Sequence, residues 1–301
     1  YTSHKVIHRV GQMLQFYPTP KHENLVICVS GLGGNKAHST IITDCINDLN
    51  CLDAGTQCFP LYWYDDSTAD IADLFSQASD NEMDKYIRRD GVTDWILSTA
   101  RKQYGSKPQI TKEDIFYYVY GILHSPDYRT TFATDLKKSL PRLPLVESKE
   151  DFWAFSKAGR ELAALHLNYE TIEPYKGCIP VFGAYSNKGE AMNYRVEKMR
   201  FGKIDSKTAD KSVIHYNSAI TISNIPLEAY DYVVNGKSAI EWIMERYAVT
   251  TDTKSGITND PNDWAKEHGD EKYIYNLLLR VINVSIQTVE IVKSLPKLKF
   301  E

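Results

Sequence analysis

The hydrophobic pattern changes period several times along the chain. Residues 24–30 (Asn-Leu-Val-Ile-Cys-Val-Ser) form an apolar run that ends in glycines, which predicts a short buried strand. Residues 56–64 are aromatic with one proline and predict a second strand. From about 84 to 175 the spacing becomes helical. Thr111 and Asp114 stand at capping-box spacing before Ile115-Phe116-Tyr117-Tyr118-Val119-Tyr120, so a helix is expected to start there. It should end near His124, because Pro126 turns Ser125 away from helical angles. Pro126 then suits the first position of another helix, running to about Ser139. Pro141 and Pro144 break the chain. Residues 150–167 are amphipathic, with Phe152, Phe155, Leu162, Leu165 and His166 near one face. From 176 to 225 the period falls toward two, and 179–185, 194–201, 213–216 and 220–222 read as strands. Helices return at about 237–248 and 271–293.

This order is α+β: a mixed, β-rich portion combined with helical, bundle-like segments, without the regular alternation of a doubly wound sheet. Four segments are expected, at 1–65, 66–175, 176–230 and 231–301. The 301 residues suffice for about two domains or one large one. No run of 18 apolar residues occurs, so no transmembrane helix is expected. The N-terminus lacks an initiator Met and a signal-peptide apolar stretch, and reads as a cut from a longer polypeptide or as a processed chain. The five cysteines are odd in number and contain no CxxC, which points to buried free thiols in a reduced, cytoplasmic setting.

Several stretches imitate catalytic motifs. Ser30-Gly31-Leu32-Gly33-Gly34-Asn35-Lys36 resembles a phosphate loop, but its lysine lacks the required Gly and Ser/Thr neighbours. Gly236-Lys237-Ser238 has the right ending, yet Asp231 stands where the upstream glycine belongs. Tight turns account for both. Asp127 with Glu147 and Lys149 mimics the two carboxylates and lysine of a metal-dependent nuclease, but on a helix start and a proline-rich turn rather than on adjacent strands. Ser125-Pro126-Asp127-Tyr128 faintly resembles the adenine-binding tetrapeptide of amino-methyltransferases, without its second proline. His166-Leu167-Asn168 and His215-Tyr216-Asn217 share an HxN spacing that no CxxC follows, which excludes zinc deaminase chemistry. No catalytic residue and no metal site is expected.

Charge changes the picture more. The net charge is −4, but it is segregated. Residues 65–84 carry seven acidic side chains and no Lys or Arg, as a solvated acidic linker or lid would. Lys85–Lys107 holds six basic residues against two acidic, and Lys176–Lys211 eight against four. The second window is also the β-rich one. Lys and Arg neutralise phosphates, and Asn, Arg and Lys read purine edges in the major groove. The candidate DNA-binding residues there are Asn187, Lys188, Tyr194, Arg195, Lys198, Arg200, Lys203 and Lys207. Strand alternation would put Arg195, Glu197 and Met199 on one face, and Tyr194, Lys198 and Arg200 on the other. A solvated mixed-charge strand face is the competing reading.

A longer pattern adds to this. The stretch from Asp114-Ile115-Phe116 through His124-Ser125-Pro126-Asp127-Tyr128-Arg129, with Asp135-Leu136-Lys137-Lys138 and Leu140-Pro141-Arg142-Leu143-Pro144, resembles the C-terminal specificity region of type ISP restriction–modification enzymes. Leu165–Glu170, Tyr232–Trp242 and Leu277–Leu295 fit the same family, as do Asn24–Val29 and Cys58–Tyr62, so the resemblance spans nearly the whole chain. It implies a large bacterial parent with a nuclease, a helicase-like translocase, an adenine-N6 methyltransferase and, last, this target-recognition region. The parent's cofactors would be S-adenosylmethionine, ATP and Mg²⁺, with none expected in this fragment. The expected partners are double-stranded DNA and the upstream methyltransferase and helicase domains, with no membrane. Residues 1–65 would be either part of this module or the tail of the methyltransferase. His124, Arg129 and Arg142 are candidate phosphate contacts, or residues that fix helix ends and turns. The competing functions are a stand-alone nuclease built on Asp127, Glu147 and Lys149, and a protein-interaction module.

Overall fold

The computed structural model describes residues 13–66, 85–105, 107–182 and 193–298. The acidic 67–84 stretch, Asn187 and Lys188 lie outside the described residues. The chain divides into two compact units, residues 1–167 with 291–301, and residues 168–290. The four segments expected from the sequence are therefore not the structural divisions. Residues 24–66 share the first unit with the helical region, because their strands close its core.

In the first unit, β1 (Val26–Val29) lies between β2 (Thr40–Thr43) and β3 (Gln57–Pro60), all antiparallel. The single strand expected over 56–64 is two. Asn24 ends the first ladder: its Oδ1 accepts from Tyr62 N at 3.0 Å and its Nδ2 donates to Tyr62 O at 2.6 Å. From Tyr62 the chain changes partner, and β4 (Tyr62–Asp66) pairs with β5 (Tyr86–Asp90). The hydrophobic pattern predicts neither β2 nor β5 as a strand, and α2 (Asp94–Tyr104) falls within the 84–175 stretch of helical spacing.

The helical core rests on α3 (Lys112–Leu123) and α5 (Lys149–Leu167). The capping box at α3 is present: Thr111 Oγ1 accepts from Asp114 N, and Asp114 accepts from Thr111 N. Ser125 caps α4 (Pro126–Thr131) with Pro126 at its start. That helix is shorter than expected, giving way to a 3-10 turn at Asp135–Lys137. α3 and α5 touch backbone to backbone. An added Cβ on Gly159 would lie 1.8 Å from the Tyr117 carbonyl oxygen, and one on Gly121 2.2 Å from that of Phe155.

Around this contact Tyr118, Tyr120, Ile122, Phe152, Phe155 and Leu162 are buried together with Ile27, Val29 and Ile42 of the sheet. The abundant tyrosines find a structural use here. The hydroxyls of Tyr128, Tyr118 and Tyr104 donate to the carbonyls of Arg142, Pro144 and Val146, every second residue of the proline-interrupted segment. A buried phenol needs such a partner, and an extended, proline-containing segment supplies unpaired carbonyls.

The second unit holds a four-stranded antiparallel sheet in the order β6-β9-β8-β7. Its strands are β6 (Ile179–Phe182), β7 (Arg200–Lys203), β8 (Ala209–His215) and β9 (Ile220–Ser223). Short hairpins follow: β10 (Val233–Val234) with β11 (Lys237–Ser238), and β12 (Thr250–Thr251) with β13 (Thr258–Asn259). α6 (Ala239–Arg246), α7 (Asn262–Glu267) and α8 (Tyr273–Ser294) complete the element order, with α8 running on into residues counted with the first unit. Ile214, Ile220 and Ile222 from the sheet pack with Ile240, Leu277, Leu278 and Ile282.

The two phosphate-loop imitations are structural turns. Gly31 N and Gly33 N donate to the carbonyls of Asp53 and Lys137, and Lys36 N donates to the Asp53 carboxylate at 3.0 Å. Those amides are committed, beside an acidic side chain. Asn235 and Gly236, both at positive φ, form the two-residue turn between β10 and β11, and Ser238 caps α6 in a capping box with Glu241.

Candidate nucleic-acid interface

The sheet of the second unit has one buried and one open face. Phe201, Ile214 and Ile222, cross-strand neighbours, face the core. One residue on, Arg200 pairs with His215, His215 with Thr221, and Thr221 with Val181. Period-two alternation puts this row on the opposite face. His215 Nδ1 and Thr221 Oγ1 hydrogen-bond at 3.0 Å. Arg200, His215 and Thr221 line a cleft of 590 Å³ together with Asn193, Arg195, Glu197, Lys198 and the Asn217–Ala219 turn.

The cleft's wall corrects a sequence expectation. Residues 194–199 are not a strand, and β7 begins at Arg200. Val196 and Met199 are buried, three apart, while Arg195, Glu197, Lys198 and Arg200 are all exposed. The two-faced division of these charges therefore does not hold. The reason lies in the backbone bonds, which side chains take before a ladder can. Asn217 Nδ2 donates to the carbonyls of Asn193 and Arg195 at 2.9 and 3.0 Å. Its Oδ1 accepts from Ala219 N and Ile220 N. Asn262 brackets Val196, accepting from its N–H at 2.9 Å and donating to its carbonyl at 2.7 Å. Tyr216 Oη donates to Tyr194 O at 2.8 Å. An irregular segment is thus fixed from both sides.

The cations differ in what they touch. Arg195 is already neutralised, with Nε 2.8 Å from Glu197 and Nη2 2.7 Å from Asp260. The Asp260 carboxyl sits below its usual range: burial opposes ionisation, but hydrogen bonds from Asn262 and Arg195 outweigh it. Lys211 is paired with Glu241 at 3.0 Å. Among the described residues, Lys198, Arg200, Lys203 and Lys207 are exposed and have no carboxylate partner. Lys203 and Lys207 flank the β7–β8 turn, where the Asp205 carboxylate accepts from Lys207 N, Thr208 N and Thr208 Oγ1. Those bonds lower the Asp205 pKa and lock the turn. Ile204 stands 70% exposed within it. Tyr194 is half-buried, with its ring 5.4 Å from that of Tyr275 and with Lys272 above it, so it packs more than it projects.

The other expected contacts are placed elsewhere. His124 is buried, its Nδ1–H donating to Tyr120 O at 2.9 Å, and burial holds its pKa down to about 4. An enclosed neutral imidazole is not a phosphate contact, so that expectation is corrected. Arg129 donates to His38 O at 2.6 Å and fixes the chain next to α4. Arg142 is exposed and borders a separate 260 Å³ hollow with Asp135 and Ser139. In the first basic window, Arg89 pairs with Asp65, Arg88 covers the Tyr62 ring, and Arg101 donates twice to Ile110 O. The nuclease imitation is taken up separately as well: Asp127 accepts from Leu298 N at 3.0 Å, and Lys149 donates to Lys107 O. No group of three or more His, Cys, Asp or Glu able to hold a metal occurs among the described residues.

The family model of the Type ISP C-terminal specificity domain matches residues 1–277. The chain belongs to this family. Three solved structures resemble the specificity domain over 96% of its length. One is the ATP-dependent Type ISP restriction-modification enzyme LlaBIII bound to DNA, 39% identical with a TM-score of 0.77. Another is a nuclease-deletion mutant of the Type ISP enzyme LlaGI in complex with a DNA substrate mimic, 36% identical with a TM-score of 0.72. The third is a DrdV–DNA complex, 29% identical with a TM-score of 0.74. The specificity domain spans 17%, 23% and 26% of those three chains. No curated protein sequence matches it. Among the described residues of the specificity domain, no helix is long and apolar enough to cross a membrane.

Sequence reasoning found the exposed cations of the specificity domain but not the residues that position them. In the sequence His215-Tyr216-Asn217 shows only as an HxN spacing. Its three side chains turn out to floor the cleft and pin its wall. Asn262 lies 66 residues from the Val196 that it brackets, a separation that no local pattern reports.

Proposed function

We propose that this chain is the DNA target-recognition module of a bacterial type ISP restriction–modification enzyme. Duplex DNA lies against the open face of β7–β8–β9. Lys198, Lys203 and Lys207 neutralise phosphates and set register, while Arg200 and the polar groups beside it meet base edges. The observation that carries this reading is the set of exposed, unpaired cations beside a rigidly held polar cleft. A cation with a carboxylate partner gains less from a phosphate, and these four have none among the described residues. Along β7, Arg200 and Lys203 are about 10 Å apart at 3.3 Å per residue, a span of about three nucleotides of one strand. The relatives solved with DNA support the same partner.

In this reading the chain recognises and does not itself cleave, methylate or hydrolyse ATP. The Gly31–Gly34 loop does not fit a nucleoside triphosphate, since the amides of Gly31, Gly33 and Lys36 already donate within the fold. S-adenosylmethionine, ATP and Mg²⁺ belong to the methyltransferase, translocase and nuclease portions of the parent, which works in the cytoplasm. The test is selection from a randomised duplex pool on the isolated chain at moderate salt. Enrichment of one short asymmetric sequence is expected. Equal retention of all sequences would remove the recognition role.

A further inference from the structure

The first unit contains a pair of thiols that DNA recognition does not use. Leu61 N donates to Leu25 O, so the Leu25–Leu61 pair is hydrogen-bonded across β1 and β3. Antiparallel pairs alternate between bonded and non-bonded. Val26 therefore faces Pro60 at a non-bonded position, where a proline loses nothing, and two residues on Cys28 faces Cys58 at the next one. Non-bonded pairs bring their side chains closest, with Cα atoms about 4.5 Å apart, inside the range a disulfide spans. The two Sγ atoms are 3.4 Å apart.

We propose that Cys28 and Cys58 form a peroxide-sensitive dithiol, in which hydrogen peroxide oxidises Cys58 and Cys28 resolves the product to an intramolecular disulfide. Cys58 is half-buried and within reach of a small oxidant, whereas Cys28 is buried. The Cys28 thiol donates to the Cys58 sulfur, which lowers the Cys58 pKa and raises that of Cys28. The Cys58 thiolate attacks one peroxide oxygen, giving a sulfenic acid and hydroxide. The Cys28 sulfur then attacks the sulfenic sulfur. The S–S bond forms, the S–OH bond breaks, and the hydroxyl leaves as water with the Cys28 proton. Two thiols lose two electrons, and one peroxide becomes two waters.

Asn47 Nδ2, 3.3 Å from the Cys28 sulfur, holds the resolving side chain in place. Closing 3.4 Å to the bonded 2.05 Å asks only for small side-chain rotations. Cys45 and Cys51 lie on the neighbouring loop, but partial desolvation and the adjacent Asp44 and Asp48 raise both thiols. The pair thus differs from its neighbours in geometry and in ionisation.

The experiment treats the reduced 301-residue chain with hydrogen peroxide, denatures it in N-ethylmaleimide and weighs it. Reduced protein takes five labels, and oxidised protein is expected to take three, with a peptide linking Cys28 to Cys58 that dithiothreitol releases. In Cys28→Ser, dimedone should trap a sulfenic acid at Cys58. Five labels after oxidation, a link between other cysteines, or sulfinic acid at Cys58 beside a free Cys28 would each overturn the proposal. The wild-type map needs no variant to fold.

Discussion

Replacing Gly159 by alanine tests the architecture of the first unit. The new methyl would sit 1.8 Å from the Tyr117 carbonyl oxygen and 2.8 Å from Gly121 N. A Cβ essentially never lies closer than 3.0 Å to such a neighbour, so α3 and α5 must part by more than 1 Å. Both obstacles are helix backbone, and no rotamer change relieves them. Overpacking of this kind costs about 1–3 kcal/mol. Opening a seam between buried Tyr118, Phe152 and Phe155 puts this site at the upper end. Alanine's better helix propensity returns about 1 kcal/mol. The net loss is about 2 kcal/mol, or roughly 4–8 °C in Tm for a unit of this size. Thermal and urea unfolding followed by circular dichroism at 222 nm measure it. An unchanged or raised Tm would show that propensity wins, and that the helices do not meet backbone to backbone.

Acid should destabilise the first unit in a definite window. Burial holds His124 at about 4 when folded, against 6.5 unfolded, so only the unfolded chain takes the proton between those values. Stability is full above pH 6.5 and falls by about 2 kcal/mol between pH 7 and 5 from this residue alone. His38, also near 4, and His166, which burial holds well below 6.5, act in the same direction. Urea midpoints that do not move over that range would contradict the buried neutral assignment. Asn217→Ala releases the carbonyls of Asn193 and Arg195 and the amides of Ala219 and Ile220. It should weaken DNA binding while leaving the salt slope intact, because no cation is removed. A slope that falls with it would mean that Asn217 acts on charge and not on shape.

Local signals survived into the fold where local chemistry decides. The Thr111–Asp114 box, the Ser125-Pro126 helix start and the 150–167 amphipathic helix all stand as the sequence pattern predicts them. Patterns failed where distant side chains took over the backbone. Tyr194–Met199 has the composition of a strand, but Asn217, Asn262 and Tyr216 hold it as an irregular wall. The 56–64 run divides because Asn24, far upstream, occupies both polar backbone groups of Tyr62. The candidate site was legible as a basic, β-rich window. Counting charge did not separate Arg195, spent on two carboxylates, from Arg200, which has none among the described residues. That distinction lives in tertiary pairing. The tyrosines show the same limit: their number was plain, but their use as clasps on the 142–146 carbonyls needed the fold.

The central claim is that four cations with no carboxylate partner among the described residues, on one sheet, its turn and the irregular wall beside it, carry the DNA. Each phosphate contact contributes about 0.9 to the slope of log K against log salt. The measurement is fluorescence anisotropy of the 301-residue chain on a selected duplex across a salt series. It compares the wild type with Lys198→Ala/Arg200→Ala/Lys203→Ala/Lys207→Ala and with Arg195→Ala. The quadruple variant should lower the slope by about 3, from its three phosphate-contacting lysines, and Arg195→Ala by less than about 1. A quadruple variant that keeps the wild-type slope, or an Arg195→Ala that loses as much as the quadruple, would contradict the account.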